Sequence, residues 1–274
     1  MEFQYIKWER EGNIGVITLN RPKSLNALSA LLFQELESLI IDINKDDSIG
    51  AFILTGAPRP DGRPCFSAGA DLKQPPPPEP RSTQQIVFDT LYAMSTRKNA
   101  SGLAGSAIAL DDLGRIPKIS IAAIDGVCTA GGLEMALGCD IILVAETALI
   151  SDLHLRNLGL IGGAASCTRL ARRVGVSKAI ELCTTCDIID GKEAHRIGFA
   201  NQVYPPDKLL AGAKDMARKI ASMRPESVGM VKATCNAIYD MDYNMSYRYA
   251  DACAMALHFG EKEWQEKCQK ETGK

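Results

Sequence analysis

The sequence predicts an α/β protein with a helical C-terminal region. Three observations carry that expectation. Short apolar runs bounded by turn residues alternate with helix-spaced amphipathic segments through about residue 204. After Pro205-Pro206 the spacing is helical alone. Two Gly-centred turns, each just after a buried strand, mark places where the backbone can approach a neighbour or a ligand. The expected organisation is a core over residues 1–204 and a helical region over residues 205–274.

In chain order, Phe3-Gln-Tyr-Ile-Lys-Trp8 alternates as a strand does, Gly12-Asn13 marks a hairpin turn, and Ile14-Gly-Val-Ile-Thr-Leu19 is the return strand. Ser29 is placed to cap a helix running to about Lys45, whose Leu32, Leu36, Leu39, Ile40 and Ile43 share one face. The apolar runs Ala51–Gly56, Ile119–Ile124 and Asp140–Ala145 read as short buried strands. Helices are expected over residues 165–174, 177–183, 207–223, 225–239 and roughly 246–270. The run Pro75-Pro-Pro-Pro-Glu-Pro80 cannot be helical, because each proline lacks an N–H and holds its predecessor extended. It reads as a surface connector, with a lid over a site as the alternative.

Composition narrows the function classes. The chain has 274 residues, 46% hydrophobic and 23% charged, which is a globular balance with ample material for a core. Its 31 Lys+Arg and 33 Asp+Glu leave a net charge of −2 with no basic block, so neither a nucleic-acid nor an anionic-membrane partner is expected. No run has membrane-spanning length and the start resembles no targeting segment, so the expected location is cytoplasmic. Nine scattered cysteines without a secretory signal read as reduced, packed thiols. The spacing Cys183-Thr-Thr-Cys186 has no second pair to complete a four-ligand set, so no metal is expected.

Chemistry concentrates at the two Gly-centred turns. One is Phe66-Ser-Ala-Gly-Ala-Asp-Leu72, after strand Ala51–Gly56; the other is Asp125-Gly-Val-Cys-Thr-Ala-Gly-Gly-Leu-Glu134, after strand Ile119–Ile124. Each offers small residues and free amides, the second at the start of a helix, where unpaired N–H groups make an anion site. Two amides converging on one oxygen would form an oxyanion hole, each donor worth roughly 3–4 kcal/mol in the transition state. Tight packing is the alternative for either turn alone. Glu134 would stand one helical turn beyond Gly131 among apolar neighbours, where desolvation raises a carboxyl pKa toward the range of proton transfer. A first-turn carboxylate complementing the helix dipole is the other reading.

The segment Ile121-Ala-Ala-Ile-Asp-Gly-Val-Cys-Thr-Ala-Gly-Gly-Leu-Glu-Met-Ala-Leu-Gly-Cys-Asp-Ile141 closely resembles the signature of the crotonase (enoyl-CoA hydratase/isomerase) superfamily. Phe66–Leu72 resembles its other hallmark, and Leu19-Asn-Arg-Pro-Lys-Ser-Leu-Asn-Ala-Leu28 its N-terminal segment. Arg172-Arg-Val-Gly and Glu193-Ala-His-Arg-Ile-Gly-Phe-Ala-Asn-Gln-Val203 resemble its downstream core. The resemblance implies a spiral of ββα units, a homotrimer or homohexamer built through the C-terminal helices, and an acyl-CoA thioester as substrate. CoA would then be the substrate's handle, and no separate cofactor is implied. The oxyanion donors would be the Ala70 and Gly131 amides, with Ala68, Asp71 and Leu72 alongside the CoA path. Glu134 would be the first of the two glutamates with which hydratases of the family position and deprotonate water.

The sequence departs from the family where the second glutamate belongs. In Ser151-Asp-Leu-His-Leu-Arg-Asn-Leu-Gly159 the Pro-Glu pair is replaced by His154-Leu155, and the Pro-Gly-x-Gly that follows becomes Gly162-Gly-Ala-Ala-Ser166. Asp152, His154 and Arg156 are the candidates to supply the missing acid; His154 titrates near neutrality, or is a histidine held by a core-edge carbonyl. The expected activity is addition of water to an α,β-unsaturated acyl-CoA, or its reverse, with a dienoyl or cyclic thioester compatible with a single carboxylate. Double-bond isomerisation, thioester hydrolysis or decarboxylation would use the same oxyanion hole, and a non-catalytic acyl-CoA binder is the alternative outside enzymology.

Overall fold

The computed structural model describes residues 3–73 and 113–259, together with positions 82, 84, 87 and 266. The Pro75–Pro80 run lies outside the described residues. Strands β1 (Ile6–Glu11) and β2 (Ile14–Leu19) form an antiparallel hairpin in which Ile6 faces Leu19 and Glu11 faces Ile14. Gly12 makes the turn at φ +63°, a left-handed conformation that favours glycine. Helix α1 (Ala30–Lys45) is capped by Ser29, whose Oγ accepts the Leu32 amide at 3.2 Å. Its Glu35 carboxylate accepts the amides of Gln4, Tyr5 and Ile6, which ties the helix to the start of β1.

After the hairpin the chain repeats one unit. Strands β3 (Ala51–Gly56), β5 (Ile119–Ile124), β7 (Ile141–Ala145) and, last, β9 (Gln202–Tyr204) join a six-stranded sheet of order β1-β2-β3-β5-β7-β9, and β3, β5 and β7 share one continuation. Each is followed by a three-residue strand, β4 (Cys65–Ser67), β6 (Val127–Thr129) and β8 (Leu149–Ser151), and these form a second sheet of order β4-β6-β8. Pairing in the small sheet is parallel, with Ser67 against Cys128 and Thr129 against Ser151. The C-terminal ends of three successive units therefore lie side by side. Ridges of aliphatic residues fill the space between layers, with Phe52, Phe66, Leu32, Leu36, Met135 and Ile142 fully buried.

The remaining helices are α2 (Gly131–Gly138), α3 (His154–Leu158), α4 (Ser166–Val174), α5 (Val176–Thr185) and α6 (Gly191–Arg196). Strand β9 (Gln202–Tyr204) closes the large sheet beside β7. Helices α7 (Leu209–Ala221), α8 (Pro225–Ala237) and α9 (Tyr243–Phe259) follow. The helix expected over 207–223 opens as a 3-10 turn at Pro206–Lys208, because two prolines withhold donors there. The final helix starts at Tyr243 rather than 246, since the Asp242 carboxylate accepts the Asn244 and Met245 amides. Strands β4, β6, β8 and β9 and helices α3 and α6 were not expected; three to six residues are too few for periodicity to register.

Helix α7 packs Leu209, Ala213 and Ala217 on the face of the large sheet formed by Val16, Ile53, Ile121 and Leu143. Helix α8 is anchored by charge: Lys232 Nζ meets Asp140 Oδ2 at 2.8 Å and the Lys118 carbonyl at 3.0 Å. Asp140 also accepts the amide and hydroxyl of Ser120, both at 2.9 Å, so three donors meet on its Oδ2. No helix of the described residues is long and apolar enough to cross a membrane. Removing the ammonium alone strands a buried carboxylate. Lys232→Met is expected to lower unfolding free energy by about 3–5 kcal/mol, read from urea denaturation midpoints at constant m-value, and unchanged midpoints would refute the anchor.

Candidate active site

The residues that follow β4 build one wall. Asn26 is fully buried; its Nδ2 donates to the carbonyls of Ala57 and Cys65, each at 2.8 Å. Ser67 Oγ donates to the Asn26 carbonyl at 2.9 Å and accepts the Gly69 amide at 3.1 Å. Arg21 reaches across to Asp71 at 2.7 Å and to the Ala27 carbonyl, and that hydrogen bond holds the Asp71 carboxyl below the usual carboxylate range. The Leu19–Leu28 segment is thus a scaffold for the turn rather than a reacting part. Its importance was not visible in residue types alone.

That scaffold sets the direction of one amide. Leu28 pairs with Ala70 as an isolated parallel bridge, in which Leu28 donates to the Gly69 carbonyl and accepts from the Asp71 amide. In such a bridge the Ala70 N–H points to the other side of its strand. Gly131 stands on that side: a Cβ built on it would lie 3.2 Å from the Ala70 nitrogen, and one built on Gly69 would lie 2.9 Å from the Gly131 nitrogen. Among the described residues neither the Ala70 nor the Gly131 amide donates a backbone hydrogen bond. The two amides are neighbours and unspent. Of the other residues expected beside them, Ala68 is half-buried and Leu72 is exposed.

Gly131 owes its position to strain one residue earlier. Ala130 holds φ +48° and ψ −120°, a region that a residue with a Cβ enters at a cost of roughly 1–3 kcal/mol. Its amide donates to the Ser151 carbonyl of β8 at 3.2 Å, and its carbonyl accepts from the Glu134 amide, which locks the bend between β6 and the helix. Gly132 then presses against the Ser67 carbonyl, where a Cβ would come within 2.3 Å. Helix α2 starts there because no side chain is in the way.

Glu134 is buried at 7% exposure, and one oxygen, Oε1, accepts the Ala164 amide at 3.0 Å. Burial pushes its carboxyl above the ordinary value, against the pull of that amide and of His154. His154 places Nε2 4.0 Å from the same oxygen. Its Nδ1 pairs with Asp152 Oδ1 at 2.6 Å, and Asp152 also accepts the His154 amide. The Asp152 hydrogen bond raises the imidazole pKa, burial opposing it. Burial pushes Asp152 upward in turn, but the bonds from His154 prevail and hold it low. A neutral His154 therefore carries its proton on Nδ1 and turns Nε2 toward Glu134.

Asp152, His154 and Glu134 thus come together, whereas Arg156 turns away to the Thr185 carbonyl and Leu155 is exposed. Gly162 closes the group: a Cβ there would fall 2.4 Å from Glu134 Oε1, 2.3 Å from Ser166 Oγ and 3.0 Å from His154 Cε1. Gly162 and Ala164 were missed as site residues, and their only sequence signal was the altered Pro-Gly-x-Gly. Asp152, Cys167 and Cys183 also bring donor atoms within 4.8 Å of one another. Burial pushes the Cys183 thiol up to about 12, so that thiol is protonated where it meets the Asp152 carboxylate at 3.7 Å. The eight described cysteines are all free.

Comparison with known proteins agrees with this architecture. The enoyl-CoA hydratase/isomerase family model matches residues 9–274, so the chain belongs to that family of enzymes. A probable mitochondrial enoyl-CoA hydratase of Dictyostelium discoideum is 36% identical over 88% of this chain and 78% of its own. The crystal structure of an enoyl-CoA hydratase from Bacillus anthracis superposes with a TM-score of 0.83 at 28% identity, covering 98% of this chain and 96% of the other. A chain from Thermobifida fusca solved in complex with CoA gives 0.76 at 25% identity, with 92% of each covered. The alternation of strands between two sheets is the crotonase spiral.

Because Gly162 has no room for a methyl group, Gly162→Ala is expected to lower kcat by at least about a hundredfold while shifting the melting temperature little. Activity is checked on the family's 2-enoyl-CoA substrates. An active variant would show that Glu134 and His154 tolerate displacement.

Proposed function

We propose that this enzyme adds water to a 2-enoyl-CoA thioester, with His154 in the place of the family's second glutamate. The observation that carries the reading is the 4.0 Å separation of Glu134 Oε1 and His154 Nε2, beside two unspent amides. Two hydrogen bonds of about 2.8 Å that meet on one oxygen at roughly 90° span that gap. A water held there touches both groups.

The thioester oxygen accepts from the Ala70 and Gly131 amides, where negative charge grows as the enolate forms. Glu134, ionised, takes a proton from the water as its oxygen bonds to the β-carbon. His154, protonated and steadied by Asp152, gives a proton to the α-carbon. The proton on Glu134 then passes to His154, and both groups return to their starting states. No atom is left over. With a second proton carrier present, the enolate needs no further delocalisation, so a simple 2-enoyl thioester suffices and a dienoyl or cyclic acid is not required. CoA serves as the handle, passing Ala68, Asp71 and Leu72. The helical region of residues 205–274 serves assembly as a homotrimer or homohexamer; Tyr243, Tyr247 and Met255, all more than half exposed in the single chain, supply apolar surface for it.

The cycle requires ionised Glu134 and protonated His154. Activity is lost as pH falls through the Glu134 pKa, which lies above the ordinary 4.5. It is lost again as pH rises through the His154 pKa, above the ordinary 6.5. The expected kcat/KM profile is a bell bounded by those two groups. Glu134→Gln and His154→Gln are each expected to cost about 10²–10⁴ in kcat for crotonyl-CoA hydration, followed by loss of conjugated-thioester absorbance. Asp152→Asn is expected to move the alkaline limb to lower pH. If a 3-enoyl-CoA is converted and crotonyl-CoA is not hydrated, the enzyme is an isomerase, and release of free CoA marks a hydrolase.

A further inference from the structure

A cavity of about 230 Å³ opens beside His154, which lines it together with Asp152. Asp152 and His154 form its polar edge, and Leu155, Leu160, Ile161, Val176 and Ile180 make up much of its apolar wall. The wall is built by α3, the turn after it, and the facing side of α5. These residues are otherwise out of place: Ile161 is 79% exposed and Ile180 58% exposed. Large aliphatic side chains grouped around one concavity mark a binding surface rather than scatter.

The order of groups says what enters it. The amides of Ala70 and Gly131 hold the thioester oxygen, Glu134 is one helical turn further, and His154 stands beyond Glu134. Gly162, against both of those side chains, leads back through Ile161 and Leu160 into the wall. A substrate gripped at its carbonyl and reacting at its α- and β-carbons therefore directs the rest of its acyl group past His154. We propose that this cavity receives the acyl tail and selects a medium-length apolar acyl group. The inference rests on the reading of the site as an acyl-CoA site. An apolar cavity of about 150 Å³ holds a six-carbon ring; by the same ratio this one takes roughly nine carbons.

The test is binding of saturated acyl-CoAs, which needs no turnover. Octanoyl-CoA is expected to bind the wild type at least about tenfold more tightly than butyryl-CoA, each added methylene contributing up to roughly fourfold. Affinity rises further to dodecanoyl-CoA, whose carbons beyond the β-carbon match the roughly nine the cavity takes, and hexadecanoyl-CoA gains no more than dodecanoyl-CoA. Ile180→Trp and, independently, Val176→Trp replace exposed residues and fill the cavity; each is expected to abolish the preference for octanoyl-CoA while the butyryl-CoA dissociation constant stays within about twofold. Equal affinity for the two thioesters in the wild type overturns the proposal. So does a preference that survives in both tryptophan variants, or light scattering in which those variants dissociate an assembly yet keep the preference. Failure of crotonyl-CoA hydration alone overturns the hydratase reading and leaves this binding result standing.

Discussion

Everything in the site depends on the parallel register of three very short strands. With Ser67 beside Cys128 and Thr129 beside Ser151, the chain leaves β4, β6 and β8 at one level. What comes next in each unit is a site residue: Ala70 after β4, Gly131 after β6, Asp152 and His154 after β8. Parallel sheets gather their functional loops at the carboxyl ends of the strands. A slip of one residue in β6 would turn its side chains to the opposite face and separate the two amides. The larger sheet fixes this register indirectly, because β3, β5 and β7 pair in the same order.

The second theme is how buried charge is kept useful. Glu134 sits in a setting that disfavours its ionised form, relieved by one amide and one imidazole. Asp152 is still more buried, at 3% exposure, yet stays ionised because His154 donates to it twice. Burial pushes both carboxylates upward, yet the net shifts are opposite, because His154 donates two hydrogen bonds to Asp152 and lies 4.0 Å from Glu134. Such an arrangement separates proton-holding roles among neighbours that would otherwise titrate together. Asp140 and Lys232 show the structural counterpart: an ion pair whose Asp140 Oδ2 also takes the Ser120 amide and hydroxyl, and which joins a C-terminal helix to the sheet.

Small residues matter here for the same geometric reason throughout. Gly131, Gly132 and Gly162 each sit where a Cβ would meet backbone or a reacting side chain. Ala130 carries an unfavourable backbone conformation that its amide and carbonyl bonds impose. The strain is concentrated at the entrance to α2, where a relaxed backbone would rotate the Gly131 amide away from Ala70.

Much was legible in the residues themselves. The strands Ala51–Gly56 and Ile119–Ile124, the Ser29 cap and the apolar face of α1 follow from local patterns, because each is decided by neighbours within a turn or a strand. The two Gly-centred turns were equally plain in the order of residue types, whereas the loss of the second glutamate was legible only against the family's pattern. Tertiary structure alone decided which of Asp152, His154 and Arg156 meets Glu134. Arg156 was a reasonable candidate by position, yet one turn of helix sends it to the Thr185 carbonyl. The roles of Asn26, Gly162 and Ala164 were likewise hidden, since each acts on a partner from a separate element of the fold. Local sequence determines what a segment can form; the distance between two side chains from separate segments is set only when both are packed against a third.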